Sequence, residues 1–297
     1  MSKILIAGAS GLVGKSLTAH LEKKGHKVFR LTRKSTSEKN EIEWNPAKGL
    51  VNTSHLEGFD AFINLAGDSI AEGKWTADKK KRILDSRIQS TELLTKTIAL
   101  LQNKPTVLIN ASAVGFYGDT HSEWISEKSL KGKGFLSDVC LAWENAADKA
   151  LNEGVRVVKL RLGVVLSAKG GALKQMMTPF KWGLGGVIGS GEQYMSWIML
   201  DDVMSIIDEA LSNQEYMGSI NVVTDEPVTN REFTKTLGAV LHRPTIFPLP
   251  AFMARLVFGE MADALLLSSC RAKPEKLEEL GFRYRFPTLK TALQAIC

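Results

Sequence analysis

The chain has 297 residues, of which 44% are hydrophobic and 24% charged, and its formal net charge is +6. This composition is that of a soluble, enzyme-sized chain whose core is large enough for one large domain, or for one domain with an appendage. The three cysteines and five histidines are widely spaced, which argues against a disulfide framework and predicts no metal site.

Neither the charge excess nor the apolar segments indicate a nucleic-acid or membrane-spanning function. The basic run Lys79–Arg82 begins a helical stretch without interleaved aromatic residues, so it predicts a solvated helix face, and we expect no nucleic-acid binding. The longest apolar region, 248–268, is interrupted by charged residues and predicts no membrane span. Because the first apolar run is a short strand rather than a signal peptide, we expect a cytoplasmic protein.

The first predicted elements are an apolar strand, Lys3–Ala7, a glycine turn and a helix over Leu12–Lys24. In this turn, Gly8 permits the tight bend, Gly11 lets a pyrophosphate approach the backbone, and Gly14 lets the helix pack on the strand. Free amides at the start of the helix can bind an anion. The residues predicted to hold the pyrophosphate of a dinucleotide are Gly8, Ser10, Gly11, Leu12, Val13 and Gly14.

The second predicted strand, Lys27–Thr32, ends in a basic tip. An NAD site usually has Asp or Glu there to bind the ribose 2′-hydroxyl, whereas Thr32, Arg33 and Lys34 carry no negative charge. We therefore predict NADP(H) as the cofactor, bound beside Thr32, with the Arg33 guanidinium facing the 2′-phosphate. A solvated basic turn is the alternative.

Strands and helices continue to alternate, as a parallel sheet covered on both faces requires. Further strands are predicted at Glu41–Trp44, Ala61–Leu65, Thr106–Ala111, Val155–Leu162 and Ser219–Val223, and further helices at Ala77–Gln102, Leu136–Asn152, Gly171–Trp182, Asp201–Ser212 and Asn230–Leu241. The predicted fold class is α/β. We expect a Rossmann-type doubly wound parallel sheet over residues 1–170, to which the strand near 219–223 returns, and a smaller, mainly helical C-terminal substrate region over 171–297.

With these elements in place, the chain resembles the extended branch of the short-chain dehydrogenase/reductase superfamily, close to its atypical nucleotide-sugar-epimerase-like group. The motifs that carry the resemblance are Gly8–Gly14, Asn64–Gly67, Asp85–Arg87, Ser112–Gly118, Arg161–Leu166, Pro179–Gly186, Gly189–Gly191, Ser196–Ile198, Pro274–Leu277 and Gly281–Phe282. Leu65, Ala66 and Gly67 end a buried strand, where small residues leave room for the cofactor or merely permit a turn. The resemblance implies that Arg87 reaches the cofactor, unless it is a plain surface arginine, and that Val165 lines the nicotinamide side.

The helix that carries catalysis in this family departs from the family pattern. Relatives have Tyr-x-x-x-Lys, in which the lysine lowers the pKa of the tyrosine so that it can move a proton. Counting back from Glu144, the corresponding positions here hold Leu136 and Cys140, neither of which can replace its counterpart.

The serine is also displaced relative to the family pattern. Ser112 lies five positions before Tyr117, whereas many relatives place the catalytic hydroxyl four before, where Ala113 stands here. A β-bulge would still let Ser112 face the nicotinamide, and a structural hydroxyl that caps the turn is the alternative. Ser112 and Tyr117 remain the catalytic candidates, Ser112 also as a cofactor contact, and a core or pocket role is the alternative for Tyr117.

The sequence thus predicts an NADP(H)-binding oxidoreductase or epimerase-like enzyme with a degenerate Tyr/Lys site, acting on a small polar or sugar-like substrate. The alternative is a non-catalytic NADP(H)-sensing or scaffold protein that retained the cofactor when the Tyr/Lys pair was lost. Apolar residues around Phe252–Leu267 close the pocket, pack in the core or form the surface of a homodimer.

Overall fold

The computed structural model describes residues 1–297 and contains fourteen strands and nine α-helices. The strands are β1 Lys3–Ala7, β2 Lys27–Thr32, β3 Glu41–Asn45, β4 Leu50–Val51, β5 Ala61–Asn64, β6 Val107–Ala113, β7 Trp124–Ile125, β8 Arg156–Leu162, β9 Val164–Leu166, β10 Tyr194–Met195, β11 Trp197–Met199, β12 Gly218–Val222, β13 Val228–Thr229 and β14 Arg271–Ala272. The α-helices are α1 Leu12–Lys23, α2 Ala77–Leu100, α3 Phe135–Asp148, α4 Gly171–Lys181, α5 Leu200–Ser212, α6 Asn230–Val240, α7 Ala251–Phe258, α8 Glu275–Glu279 and α9 Leu289–Ile296.

An eight-stranded sheet in the order β12-β8-β6-β5-β1-β2-β3-β4 forms the centre of the structure. Neighbouring strands are parallel except for the β3–β4 pair. The strand order reverses at β1, which lies between β2 and β5, so a crevice opens at the carboxyl ends of these strands. This doubly wound sheet confirms the predicted fold class, and all seven predicted strands belong to it.

Both faces of the sheet are buried because successive side chains of a strand point to opposite faces. In β1, Ile4 and Ile6 join the core under α1 and α5, whereas Leu5 joins the core under α2 on the other face. Helix α5 and strand β12 pack with this main sheet, although they follow α4 in the chain.

A separate core holds the C-terminal helices together. Leu173 of α4, Phe233 of α6 and Leu293 of α9 belong to one buried cluster, which also includes Trp197. Beyond Thr245 the chain forms the short helices α7, α8 and α9 and a π-helical turn, Ala262–Leu266. None of the helices combines the length and the apolar character needed to cross a membrane.

The differences from the predicted elements are at their ends and in very short strands. Helix α3 ends at Asp148, and the chain continues as a 3₁₀ turn, Lys149–Glu153, where the sequence predicted an uninterrupted α-helix. Strand β4 and the three two-stranded sheets were not predicted, since two or three residues carry no readable periodicity.

Candidate functional site

The three glycines of the first turn serve two different purposes: two of them allow the backbone to pack closely, and the third borders open space. At Gly8, where φ is +79°, an added Cβ would lie 2.5 Å from the carbonyl carbon of Leu65, and at Gly14 it would lie 2.7 Å from Cα of Ala9. Both positions therefore need glycine for the backbone to pack. At Gly11 the nearest atom to an added Cβ is the Gly8 oxygen at 3.5 Å, so this position borders open space.

The first turn of α1 presents unpaired backbone donors at this open space. The amide of Lys15 donates to the Gly11 oxygen at 2.9 Å, and Gly11 itself donates to Gly8 at 3.1 Å. The amides of Leu12, Val13 and Gly14 have no acceptor within the chain, and no side chain caps the helix. A helix start of this kind attracts an anion through its free amides and its dipole.

A cleft of about 320 Å³ lies at this edge of the sheet. Its lining residues are Gly8, Gly11, Leu12, Val13, Gly14, Leu65, Arg87, Ala111, Ser112, Ala113, Trp143, Leu162, Gly163 and Val165. Nine of these were predicted to contact the cofactor. The sequence reasoning missed five, namely Ala111, Ala113, Trp143, Leu162 and Gly163, because small or apolar residues carry no chemical signal of their own. Ser10, Thr32, Arg33, Ala66 and Gly67 were predicted but do not line this cleft.

The strand register brings the end of β2 beside the glycine turn. Ala7 pairs with Leu31 in β2 and with Asn64 in β5, so the chain following each strand lies at the same edge. Arg33 is exposed and forms no ion pair within the chain. Thr32 accepts a hydrogen bond from the amide of Lys34 at 3.2 Å, which shapes the tip of the strand.

The Arg87 side chain is packed among groups at the cleft wall. Its Nη1 donates to the carbonyl oxygens of Asp68 at 3.1 Å and Ile83 at 3.0 Å, and its Cζ lies 5.1 Å from the ring centre of Trp143. An added Cβ at Gly67 would lie 3.0 Å from this Cζ, so the small residue makes room for the guanidinium. Burial lowers the pKa of Arg87.

A buried carboxylate organises the polar groups behind the cleft. Arg161 donates to Glu144 through Nε at 2.8 Å and through Nη2 at 2.9 Å, and Ser112 donates its hydroxyl to the same carboxylate at 2.7 Å. Burial raises the pKa of Glu144, but the bonds and charge of Arg161 outweigh that effect and hold the pKa below its usual value. Glu144 therefore remains ionised and holds the Ser112 hydroxyl in one orientation.

The structure contains no β-bulge at Ser112, and the bulge envisaged from the sequence is wrong. Strands β6 and β8 pair residue for residue from Val107–Arg156 to Ala113–Leu162. The uninterrupted register places Ser112 directly opposite Arg161, with the Glu144 carboxylate between them as common acceptor.

The Tyr117 hydroxyl is engaged on the far side of the same network. It accepts a hydrogen bond from Arg161 Nη1 at 2.8 Å and donates to Asn221 Oδ1 at 2.7 Å. The side chain is buried and does not line the cleft. Burial raises the pKa of Tyr117 to about 12, so the phenol keeps its proton at neutral pH.

Leu136 and Cys140, the expected counterparts of the family's Tyr and Lys, pack against the 3₁₀ turn after β6. An added Cβ at Gly115 would lie 3.5 Å from Cβ of Leu136 and 4.0 Å from Sγ of Cys140, which places both side chains against this turn. Burial and the nearby Glu144 carboxylate raise the pKa of Cys140 to about 11. Cys140 is therefore a buried thiol, not a thiolate, at neutral pH.

The solvent exposure of one basic residue, Lys79, differs from what the sequence predicted. Lys79 was expected on a solvated helix face, but it is only 6% exposed, and its Nζ lies 2.8 Å from Asp68 Oδ2. The expectation was wrong because Asp68, eleven residues earlier, folds back over the start of α2.

The crossing point of a doubly wound sheet, together with a glycine turn and free helix amides, defines a Rossmann protein built for a dinucleotide. Residues 4–223 match the NAD dependent epimerase/dehydratase family, and residues 249–296 match a domain of unknown function, DUF1731. The chain belongs to the NAD dependent epimerase/dehydratase family.

Several relatives are similar over almost the whole chain. An epimerase family protein of Mycobacterium bovis is 42% identical over 290 residues, which cover 98% of this chain and 96% of the relative. The crystal structure of human epimerase family protein SDR39U1 with NADPH has a TM-score of 0.89 at 34% identity and covers 99% of this chain and 98% of that one. A nucleoside-diphosphate sugar epimerase of Corynebacterium glutamicum has a TM-score of 0.81 at 33% identity, covering 98% of this chain but 57% of that one.

Proposed function

We propose that this chain binds NADPH at the cleft and exchanges hydride with a small polar or sugar-like substrate held under the C-terminal region, 171–297. The observation that carries the proposal is the group of three unpaired amides, of Leu12, Val13 and Gly14, beside the open space at Gly11. An anion there would satisfy donors that nothing in the chain satisfies. The human relative, whose structure was determined with NADPH, supports the choice of cofactor.

The residues of the cleft suit the two ends of a dinucleotide. The amides of the first turn of α1 would hold the pyrophosphate, and Leu65 to Gly67, which follow β5 at the same edge of the sheet, would pass beside the adenosine half. Ser112, Gly163 and Val165 would flank the nicotinamide half. When bound, the nicotinamide supplies the hydride chemistry, and the protein supplies position and electrostatics.

The choice of NADPH over NADH rests on Arg33. Its guanidinium is exposed, follows the strand beside the glycine turn and has no carboxylate partner, so it is free to form paired, charge-assisted hydrogen bonds with a 2′-phosphate. No acidic residue stands at the end of β2 to bind an unphosphorylated ribose.

The chain offers no titrating proton donor in the cleft. Among the polar side chains of the lining, Arg87 is a guanidinium, the Trp143 indole donates to Thr91 at 3.0 Å, and Ser112 directs its hydroxyl proton to Glu144. Ser112 would therefore accept a hydrogen bond from a substrate hydroxyl and orient it. A proton that accompanies hydride exchange would come from solvent or from the substrate itself.

The absence of a proton donor also favours the second candidate, a non-catalytic NADPH-sensing protein. Leu136 has no titratable group, and Cys140 is a thiol whose pKa is about 11. On this reading the cleft retains cofactor binding and the C-terminal region responds to it.

Calorimetric titration of the purified chain with NADPH and NADH tests the binding step. Arg33→Asp should weaken NADPH binding roughly 10- to 100-fold, because it removes a charge-assisted contact and adds repulsion, while NADH binding changes little. Lys39→Asp is the matched control, since Lys39 is also exposed and unpaired but lies beyond the strand tip. Equal losses for both cofactors would refute the assignment of Arg33.

Turnover is tested separately from binding. The protein is incubated with NADPH and a panel of carbonyl compounds and nucleotide sugars, and NADPH oxidation and product epimers are followed. Turnover that drops in Ser112→Ala supports the enzyme and the role of Ser112. Tight NADPH binding without turnover on the whole panel favours the sensing protein.

A further inference from the structure

The net positive charge of the chain is concentrated in three segments. Residues 162–191, 233–259 and 286–297 contain seven Lys or Arg and no Asp or Glu, whereas the rest of the chain has 31 basic and 32 acidic residues. All seven basic side chains are exposed. Only Arg255 has a carboxylate partner, Asp263 at 2.9 Å, so six cations have no counter-ion within the protein.

The three segments belong to one part of the structure. Helices α4, α6 and α9, one from each segment, share a single buried cluster. Lys235 and Lys290 line a groove of about 540 Å³ between α6 and α9 together with His242. Arg243 of the second segment donates through Nε to the Lys181 oxygen of the first at 3.2 Å. The segments therefore bring basic residues together at these two places.

Large apolar side chains are exposed on the same segments. The chain after α4 runs beside the chain before α7, since Leu249 donates to the Val187 oxygen at 2.8 Å and Gly189 donates to the Leu249 oxygen at 2.9 Å. In α7, Ala254 is buried, while the opposite side of the helix is exposed. Seven apolar side chains on these segments are more than half exposed: Trp182, Leu184, Ile246, Phe247, Phe252, Leu256 and Val257.

We call these seven side chains and the six unpaired cations the basic apolar face. Seven large side chains exposed to this extent amount to an area on the order of 600 Å², at the upper end of what an ordinary monomer exposes. Trp182 and Leu256 are each 79% exposed, so this area does not consist of the exposed edges of core side chains. The partner that would bury this apolar surface and also neutralise the unpaired cations is one that is both apolar and anionic.

We propose that the basic apolar face docks the protein on an anionic phospholipid surface, without spanning it. The apolar side chains would enter the boundary between headgroups and acyl chains, and the lysines and arginines would contact the anionic headgroups. A second copy of the chain fits less well, because a symmetric contact would bring the same unpaired cations together. A nucleic acid would neutralise the cations but leave the apolar side chains in water.

Vesicle flotation with the full chain tests the proposal. The protein should float with phosphatidylcholine vesicles that contain phosphatidylglycerol and not with phosphatidylcholine alone, and high salt should weaken the binding. Trp182 emission should shift to the blue on binding, and Trp182→Phe should remove that shift. Equal binding to both kinds of vesicle, or binding to neither, would overturn the proposal.

Two variants and two matched controls separate a lipid surface from other partners. Leu256→Ser removes an apolar contact and should weaken vesicle binding. Lys290→Glu changes the charge of the face by two units, so at roughly fivefold per charge it should weaken partition of the protein onto the vesicles about 25-fold. Leu130→Ser and Lys39→Glu change residues that are also exposed but lie outside the face, and these variants should bind as the wild type does. NADPH binding and thermal melting report that each variant is folded.

The other partners predict different outcomes for the same proteins. A dimer in ultracentrifugation that Leu256→Ser dissociates, without vesicle binding, would assign the face to a second copy and overturn the proposal. Binding to a DNA duplex that responds to Lys290→Glu but not to Leu256→Ser, again without vesicle binding, would assign it to a nucleic acid.

Discussion

Replacing Gly11 by alanine separates cofactor binding from folding. Gly11 has φ −74° and ψ 174°, an extended conformation that alanine adopts without strain. An added Cβ meets only the Gly8 oxygen, at an ordinary 3.5 Å. Alanine is a poorer helix N-cap than glycine, so we expect a loss of less than about 1 kcal/mol in the free energy of unfolding.

The same methyl group would stand where the pyrophosphate must approach. If it displaces the phosphates from two of the helix amides, two charge-assisted hydrogen bonds are lost, at about 1.5–3 kcal/mol each. NADPH affinity should then fall roughly 10²- to 10⁴-fold, since about 1.4 kcal/mol corresponds to a factor of ten.

Gly14→Ala is the contrasting variant. An added Cβ there would lie 2.7 Å from Cα of Ala9, with the Gly8 oxygen closer still, so the helix must move away from the strand. Overpacking of this kind costs about 1–3 kcal/mol. At about 2–4 °C per kcal/mol in a chain of this size, Gly14→Ala should lower the melting temperature by several degrees even without cofactor.

Thermal melting with and without NADPH, together with calorimetry, measures both effects. Wild-type protein at a hundredfold excess of NADPH over its Kd should gain about 2.7 kcal/mol of stability. Gly11→Ala should melt close to the wild-type temperature without cofactor and gain almost nothing at the same NADPH concentration. Wild-type affinity in Gly11→Ala would refute the placement of the pyrophosphate at this turn.

Three further outcomes concern the buried network and the thiols. Glu144→Gln should lower the free energy of unfolding by about 3–5 kcal/mol at pH 7, because it leaves Arg161 without its counter-charge. The folded pKa of Glu144 lies below its unfolded value of 4.5, so the carboxylate stabilises the fold above that pH and loses this effect as the pH falls through the folded pKa. Urea unfolding of the variant and the wild type should therefore converge in acid, and a difference independent of pH would contradict this. Tyr117→Phe should cost about 1–3 kcal/mol in urea unfolding and leave NADPH affinity within twofold in calorimetry, and a large loss of affinity would place the hydroxyl at the cofactor after all. In native protein at pH 8, mass spectrometry should find exposed Cys297 alkylated first and Cys140, whose pKa is raised to about 11, protected until unfolding; early labelling of Cys140 would contradict its burial.

The amino-acid sequence alone determined the doubly wound fold and the glycine turn. Both depend on local signals, because a buried parallel strand is a short apolar run and an amphipathic helix repeats every 3.6 residues. Gly8, Gly11 and Gly14 are close in sequence, so their spacing already indicates a turn that leads into a helix.

Only the tertiary structure decided which polar groups meet behind the cleft. Glu144 is separated by 17 residues from Arg161 and by 32 from Ser112, and Tyr117 by 104 from Asn221. The chain has 32 carboxylates, and no local pattern shows which of them a buried guanidinium will meet. The register of β6 with β8 and the packing of α3 bring Glu144 to Arg161, because a charge buried at that position is stable only with its counter-charge beside it.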